Sequence, residues 1–191
     1  MLLLYLHGFN SSPLSFKSEA TRLWLKEHHP EVEFHCPQLH NYPERAIAQL
    51  EDIIVQCDVP PALAGSSMGG FFATYLAEKY ALRATIINPA VRPWRGMHEY
   101  VGENANYHTG ETWVMEHHHV EQYRQFDVET LQRPENLWAL LQTEDEVLDY
   151  RDAEEKYAAC KLTIEQGGDH GFQGYERFLP EIYQFLFDVR R

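Results

Sequence analysis

The chain has 191 residues, of which 44% are hydrophobic, and this size and composition predict one folded domain over residues 1–191. Its 29 acidic and 16 basic residues give a formal net charge of −13, so nucleic-acid binding is not expected. Three widely spaced cysteines, Cys36, Cys57 and Cys160, match neither a disulfide framework nor a CxxC metal site. The apolar residues 1–6 are too few for a signal peptide or a membrane span, which predicts a cytoplasmic protein without membrane contact.

The first half of the chain alternates short apolar runs with segments of helical period. The runs predict β-strands at residues 2–6, 32–36, 62–65 and 84–88. Hydrophobic residues three and four positions apart predict helices over residues 15–28, from Pro43 onward, and over residues 69–80. The residues of the first helix expected to face the core are Phe16, Ala20, Leu23 and Trp24.

The second half continues this alternation after one interruption. Residues 91–134 are rich in aromatic residues and histidine and have no clear period, apart from a helix expected within 115–125. Strands are predicted at 137–142 and 162–165, and helices at 152–159 and 175–189. The interruption is interpreted as a cap inserted over the top of the sheet.

Alternating strands and helices predict an α/β fold. Such chains form a mostly parallel sheet with helices on both faces, which gives three layers.

The segment Gly65-Ser66-Ser67-Met68-Gly69 is the strongest chemical signal in the sequence. It has the form G-x-S-x-G between a predicted strand and a predicted helix, where a sharp turn exposes the serine. The glycines allow strand and helix to approach closely, and the helix N-terminus offers free amides to a developing negative charge. Ser67 is therefore the predicted nucleophile, and the Met68 amide is one predicted donor to an oxyanion.

The turn His7-Gly8-Phe9 follows the first predicted strand. The backbone amide of Phe9 is the predicted second oxyanion donor, whereas His7 is expected to be structural. The loop continues with Asn10 and Ser11, two candidate substrate-binding residues at the entrance to the site.

A histidine lies in the glycine-flanked segment between the last predicted strand and the last predicted helix. His170, in Gly167-Gly168-Asp169-His170-Gly171, can reach a serine from this loop, and is the predicted general base.

The acid of a Ser-His-acid triad is expected on the loop that follows residues 137–142. Asp145 fits best, because Val147-Leu148 after it can pack back on the core. Asp149 and Glu144 remain alternatives, whereas Asp169 is too close to His170 in sequence. The carboxylate would fix the imidazole tautomer and stabilise the imidazolium.

The insertion contributes two further substrate-binding candidates, Arg92 and Trp94. Arg92, with Arg95, could contact the phosphates of a coenzyme A thioester. Trp94 belongs to a set of aromatic residues that would form an apolar acyl pocket if they cover Ser67. The run 117–119 is three histidines, but adjacent helical residues point in different directions, so no metal site is expected.

Four segments together resemble the YqiA-like bacterial esterases of the α/β-hydrolase superfamily. They are LLYLHGFNSSPLSFK, GSSMGG, LLQTEDEVLDY and GGDHGF, and the resemblance extends over essentially the whole chain. It implies an abbreviated α/β-hydrolase fold whose sheet begins at Leu2. It also implies esterase activity with Ser67 as nucleophile, Asp145 as acid and His170 as base.

The predicted function is hydrolysis of small carboxylic esters through an acyl-enzyme, without a cofactor or metal. Two alternatives remain open, namely an acyl-CoA thioesterase with the same triad, and a non-catalytic binding protein on the hydrolase scaffold. The expected partner is a small-molecule ester or thioester. The sequence does not predict an oligomeric state.

Overall fold

A six-stranded parallel sheet forms the centre of the computed structural model, which describes residues 1–187. The strands are β1 (Leu2–Leu6), β2 (Glu33–His35), β3 (Ala62–Ser66), β4 (Ala84–Ile87), β7 (Leu137–Gln142) and β8 (Lys161–Glu165). Their order is β2-β1-β3-β4-β7-β8, and all five pairings are parallel. All strands therefore end at one edge of the sheet.

Six α-helices connect or flank the strands. They are α1 (Phe16–His28), α2 (Pro43–Val55), α3 (Met68–Tyr80), α4 (His117–Gln122), α5 (Tyr150–Lys156) and α6 (Leu179–Phe187). A short 3-10 helix, Tyr175–Phe178, precedes α6, so the predicted helix 175–189 starts in a tighter conformation, and its last two residues lie outside the described residues.

Two hydrophobic clusters cover the two faces of the sheet. One contains residues of α2, α3 and the cap. The other contains residues of α1 and α6 and the side chains of β1 and β7 that face these helices. This arrangement confirms the predicted three-layer α/β architecture with helices on both faces.

Helix α3 begins directly at the edge where the strands end. Its residues Phe72, Ala73, Leu76 and Ala77 are all at most 4% exposed, as their spacing predicts. Because α3 packs between the sheet and the cap, its N-terminus is held firmly at the sheet edge.

The predicted inward face of α1 was partly wrong. Phe16 and Leu23 are 61% and 54% exposed, whereas Ser18, Thr21 and Leu25 are buried. The buried hydroxyl of Thr21 forms a hydrogen bond with Tyr175, which compensates for burying a polar side chain. A hydrophobicity pattern does not reveal such a partner from a distant part of the chain.

The interruption at residues 91–134 contains a hairpin that was not predicted. Strands β5 (Gly102–Ala105) and β6 (Thr112–Met115) pair antiparallel, and α4 follows within the expected range 115–125. In β6, buried Trp113 and Met115 alternate with exposed residues, a period-2 signal that could have predicted the strand. Buried side chains of the cap join the same cluster as α2 and α3: Trp94, Trp113, Met115, Val120, Tyr123 and Phe126.

Within residues 1–187, no helix is long and apolar enough to cross a membrane.

Candidate active site

Three parallel strands place the predicted catalytic residues at one edge of the sheet. Ser67 follows β3, Asp145 lies three residues beyond β7, and His170 lies on the loop after β8. Since β3 and β7 are separated only by β4, the three residues approach from neighbouring strand ends.

Ser67 lies in a sharp, strained turn between β3 and α3. Its φ and ψ are 55° and −122°, a conformation that residues other than glycine rarely adopt. A Cβ on Gly65 would overlap the backbone of Gly69, and a Cβ on Gly69 would overlap the carbonyl of Leu6. The two glycines are therefore required by the close approach of strand and helix.

The amides of Phe9 and Met68 are both free beside Ser67. Met68 is the first residue of α3, where backbone N–H groups have no partner within the helix. Neither amide donates a hydrogen bond within residues 1–187. A Cβ added to Gly8 would lie 3.8 Å from the Ser67 Oγ, so the turn that carries Phe9 runs directly past the hydroxyl.

His7 is a buried, neutral support for this turn. Its Nδ1–H donates to the Gly8 carbonyl oxygen at 2.9 Å, and its Nε2 accepts from the Leu39 amide at 3.0 Å. Burial lowers the pKa of His7 from 6.5 to about 4. Its ring is thus occupied at both nitrogens, in agreement with the predicted structural role.

Asp145 and His170 form a close pair. His170 Nδ1 lies 2.9 and 2.8 Å from the two carboxylate oxygens of Asp145. The Asp145 side chain is only 2% exposed and also accepts from the amides of Val147 and Leu148. These bonds fix the carboxylate, and the pairing at Nδ1 directs Nε2 away from Asp145.

The alternative acids are used elsewhere. Asp149 caps α5 by accepting from the Arg151 amide, and it also pairs with the Arg151 guanidinium. Glu144 is exposed, and Asp169 accepts a hydrogen bond from Gln173. Of the acids considered, the structure brings only Asp145 to the His170 ring.

No hydrogen bond joins the Ser67 hydroxyl to the His170 ring among residues 1–187. The structure therefore assembles the acid–histidine pair but not the serine–histidine contact. Such contacts often tighten only when a substrate is bound, so geometry alone does not remove His170 as a candidate base.

The predicted substrate-binding residues differ in their surroundings. The Asn10 Oδ1 accepts from the Trp113 indole at 2.8 Å, and the Ser11 carbonyl accepts from Asn106, so both residues anchor the cap. Trp94 is 8% exposed and packs against Phe71. Substrate binding by these residues stays a prediction, and so does the role of Arg92, whose side chain has no partner within residues 1–187.

A narrow cavity of about 20 Å³ opens beside the two free amides. The residues that line it include Gly8, Phe9, Met68, Phe72 and Tyr123. The volume is close to that of one water molecule.

Sequence reasoning missed several residues that hold the loop carrying His170. Asn88 and Gln142 are buried amides that bond to the loop backbone, and the Lys17 ammonium donates to the Gly171 carbonyl at 2.9 Å. The position of Gln142 at the end of an otherwise apolar, fully buried strand was a usable signal.

Metal ligands and thiols are two other kinds of reactive group. In the part of the chain that the structure describes, no cluster of three or more His, Cys, Asp or Glu side chains could hold a metal. The three cysteines are unpaired thiols, and burial raises the pKa of Cys36 and of Cys160 to about 11. A thiol with a raised pKa is a poor nucleophile at neutral pH.

The architecture and its solved relatives define an α/β-hydrolase fold. Est1E from Butyrivibrio proteoclasticus superposes with a TM-score of 0.74 at 15% identity, covering 98% of this chain and 87% of that one. Alpha/beta hydrolase domain-containing protein 10 from mouse gives a TM-score of 0.74 at 14% identity, with 98% and 89% covered. A thioesterase domain from the curacin biosynthetic pathway gives 0.65 at 13% identity, with 95% and 90% covered.

The chain belongs to the uncharacterised protein family UPF0227, whose model matches residues 2–187. This membership confirms the resemblance to YqiA-like proteins, and the solved structures confirm the α/β-hydrolase fold.

Proposed function

We propose that this protein is a serine esterase that hydrolyses small carboxylic esters. The observation that carries the proposal is the Asp145–His170 pair, at 2.8 Å, on the same sheet edge as the strained Ser67. A buried carboxylate on a histidine, a serine on a sharp turn and two free amides are what acyl transfer requires.

The first half of the reaction forms an acyl-enzyme. His170 Nε2 takes the proton of the Ser67 hydroxyl while Oγ attacks the ester carbonyl carbon. The amides of Phe9 and Met68 donate to the carbonyl oxygen as it becomes an oxyanion, and Asp145 stabilises the imidazolium. The bond between the carbonyl carbon and the alkoxy oxygen then breaks. His170 gives its proton to this oxygen, which leaves as the alcohol.

The second half releases the acid. His170 Nε2 takes a proton from water while the water oxygen attacks the acyl carbon. The two amides again donate hydrogen bonds to the oxyanion. The bond between the acyl carbon and Oγ breaks, and the proton returns to Ser67. The residues of the chain supply every step, so the proposal needs no cofactor or metal.

Adjacent serines allow a matched test of this proposal. We expect Ser67→Ala to abolish hydrolysis of 4-nitrophenyl acetate, whereas Ser66→Ala should retain most of it. Ser66 is 7% exposed and is the last residue of β3, so both variants perturb the same turn. Equal turnover by wild type and Ser67→Ala would reject the esterase and favour a binding role on the hydrolase scaffold.

An acyl-CoA thioesterase is the second candidate function. Arg92 and Arg95 form neither a hydrogen bond through their side chains nor an ion pair within residues 1–187, although acidic residues predominate in the chain. Ala90, two residues before Arg92, donates its amide to the Ser67 carbonyl, so the segment that carries these arginines begins at the nucleophile turn. Unpaired guanidinium groups there could bind the phosphates of coenzyme A.

The double variant Arg92→Ala/Arg95→Ala separates the two candidates. If thioesters are the substrates, kcat/KM for acetyl-CoA should fall while that for 4-nitrophenyl acetate is kept. Unchanged turnover of both substrates would remove the phosphate-binding role. The small-molecule partner and the cytoplasmic location stay predictions.

A further inference from the structure

We propose that Asn88 and Gln142 are positioning residues, which hold the loop of His170 so that its ring stays on Asp145 and faces Ser67. The catalytic consequence rests on the proposed esterase function. The positioning itself is a structural claim with its own readout. Neither residue contacts the reacting atoms through the bonds described below.

Asn88 joins the end of β4 to the His170 loop. Its side chain Nδ2 donates to the carbonyls of Asp169 at 3.0 Å and His170 at 3.3 Å. Its Oδ1 accepts from the Gln142 amide at 3.0 Å. Asn88 is 4% exposed and has a φ of 39°, a left-handed conformation that asparagine tolerates better than most residues.

Gln142 holds the loop from both sides of His170. Its Oε1 accepts from the amides of Asp169 at 3.2 Å and Gln173 at 2.8 Å. Its Nε2 donates to the Gln173 carbonyl at 2.9 Å and to Glu165 at 3.0 Å. The side chain is 3% exposed and uses all its hydrogen-bonding capacity, as a rigid buried connector should.

The loop needs such connectors because its own backbone is permissive. Gly167 and Gly168 have φ values of 85° and 82°, and glycine gains little rigidity from its local sterics. A Cβ on Gly168 would overlap the Gln142 side chain, so the loop packs directly on this amide. The chain thus combines a permissive loop with two buried anchors at the ends of β4 and β7.

The carboxylate of Glu146 and the ammonium of Lys17 hold the same loop from the solvent side. Glu146 accepts from the His170 amide at 2.9 Å, but its side chain is exposed. Exposed contacts of this kind contribute little to rigidity. The two buried amides are therefore the contacts whose loss should displace His170 most.

The substitution Asn88→Asp removes the donation to the loop and places a carboxylate against the two loop carbonyls. Aspartate tolerates the same backbone conformation and can still accept from the Gln142 amide, but its carboxylate cannot donate to the two loop carbonyls. Gln142→Met is the second variant, with similar length and no acceptor for the loop amides. Tyr157→Phe is the matched control, because it removes a buried hydrogen bond to Thr74 and none to the loop.

The first readout is independent of catalysis. The His170 Nδ1 proton, bonded to Asp145, should give a downfield proton resonance in the wild type, assigned by its absence in His170→Ala. We expect Asn88→Asp and Gln142→Met to broaden or remove this signal at temperatures where circular dichroism shows them folded. Tyr157→Phe should keep it. An unchanged signal in both loop variants would overturn the proposal.

The second readout is the division between kcat and KM for 4-nitrophenyl acetate. Misplacing a catalytic group by about 1 Å can cost roughly a hundredfold in rate. We expect kcat to fall at least tenfold in both loop variants with KM unchanged, because neither side chain reaches the substrate. A loss in KM alone, or a loss equal to that of Tyr157→Phe, would contradict positioning. An inactive wild type whose downfield signal still depends on Asn88 would reject the esterase but retain the positioning claim.

Discussion

Phe9 is the residue whose backbone and side chain have the most clearly separate roles. Its ring packs edge-on against Tyr100 and Trp113 in the cap, whereas its amide is free beside Ser67. A variant that keeps one role and removes the other is therefore informative.

Phe9→Pro removes the free N–H, and we expect kcat for 4-nitrophenyl acetate to fall by about 10²–10³ with little change in KM. The control Phe9→Leu keeps the N–H and loses only the aromatic contacts, so its kcat should stay within about tenfold of wild type. If both variants lose kcat equally, the Phe9 amide is not an oxyanion donor.

His7 makes stability depend on pH in a defined window. Its pKa is about 4 in the folded protein and 6.5 ordinarily, so the unfolded chain binds more protons between these values. The folded protein keeps this contribution to its unfolding free energy above pH 6.5 and loses it as the pH falls towards 4. At about 1.4 kcal/mol per pKa unit, the loss is about 3 kcal/mol.

The variant His7→Gln isolates this effect, since glutamine can donate and accept but does not titrate. We expect urea denaturation to show a smaller loss of unfolding free energy between pH 6.5 and 4 for the variant than for the wild type. Parallel losses in the two proteins would show that His7 titrates normally in the folded state.

At the scale of elements, the contact between β1 and α3 depends on one glycine. A methyl group on Gly69 would overlap the Leu6 carbonyl, and neither backbone can move without breaking the sheet or the helix. We expect Gly69→Ala to lose about 3 kcal/mol or more of unfolding free energy, measured by denaturant unfolding.

Gly96→Ala is the control for this prediction. No atom lies within 4 Å of its added Cβ, and its φ of −101° suits alanine. Its stability should change by less than about 1 kcal/mol. A mild effect at Gly69 would mean that β1 and α3 are less closely packed than the structure shows.

The elements of the sheet were predictable because their local patterns match their final environments. Strand β7, with six buried residues, and helix α3, whose apolar residues are mostly buried, are examples. The predicted face of α1 was partly wrong because the burial of Thr21 depends on Tyr175. The hairpin β5–β6 was not predicted because β5 depends on pairing with β6, ten residues later.

The candidate site was predictable where its reactive residues come directly after predicted strands. Ser67, Asp145 and His170 each follow a strand, and the fold orders those strands at one edge. Gln142 stands out in the sequence as the polar end of the apolar strand β7, but the loop that Gln142 and Asn88 contact could not be assigned in this way. A single sequence does not show which polar side chain at a strand end will be buried against a distant loop.

At the scale of the whole molecule, the net charge of −13 distinguishes the two candidate substrates. The electrostatic field of this charge does not act on a neutral ester, whereas coenzyme A carries several negative charges and is repelled on average. We expect kcat/KM for 4-nitrophenyl acetate to be constant from about 0.01 to 0.15 M salt, and that for acetyl-CoA to rise as screening increases. A fall for acetyl-CoA would instead mean that Arg92 and Arg95 dominate the local field and favour the thioesterase.

The central claim is that His170 activates Ser67 as a nucleophile. Its most direct test is labelling of the folded protein by a fluorophosphonate, with the modified residue located by mass spectrometry. We predict labelling at Ser67 alone in the wild type, none in Ser67→Ala, and strongly slowed labelling in His170→Ala. A folded wild type that is not labelled, or is labelled equally fast without His170, would contradict the account.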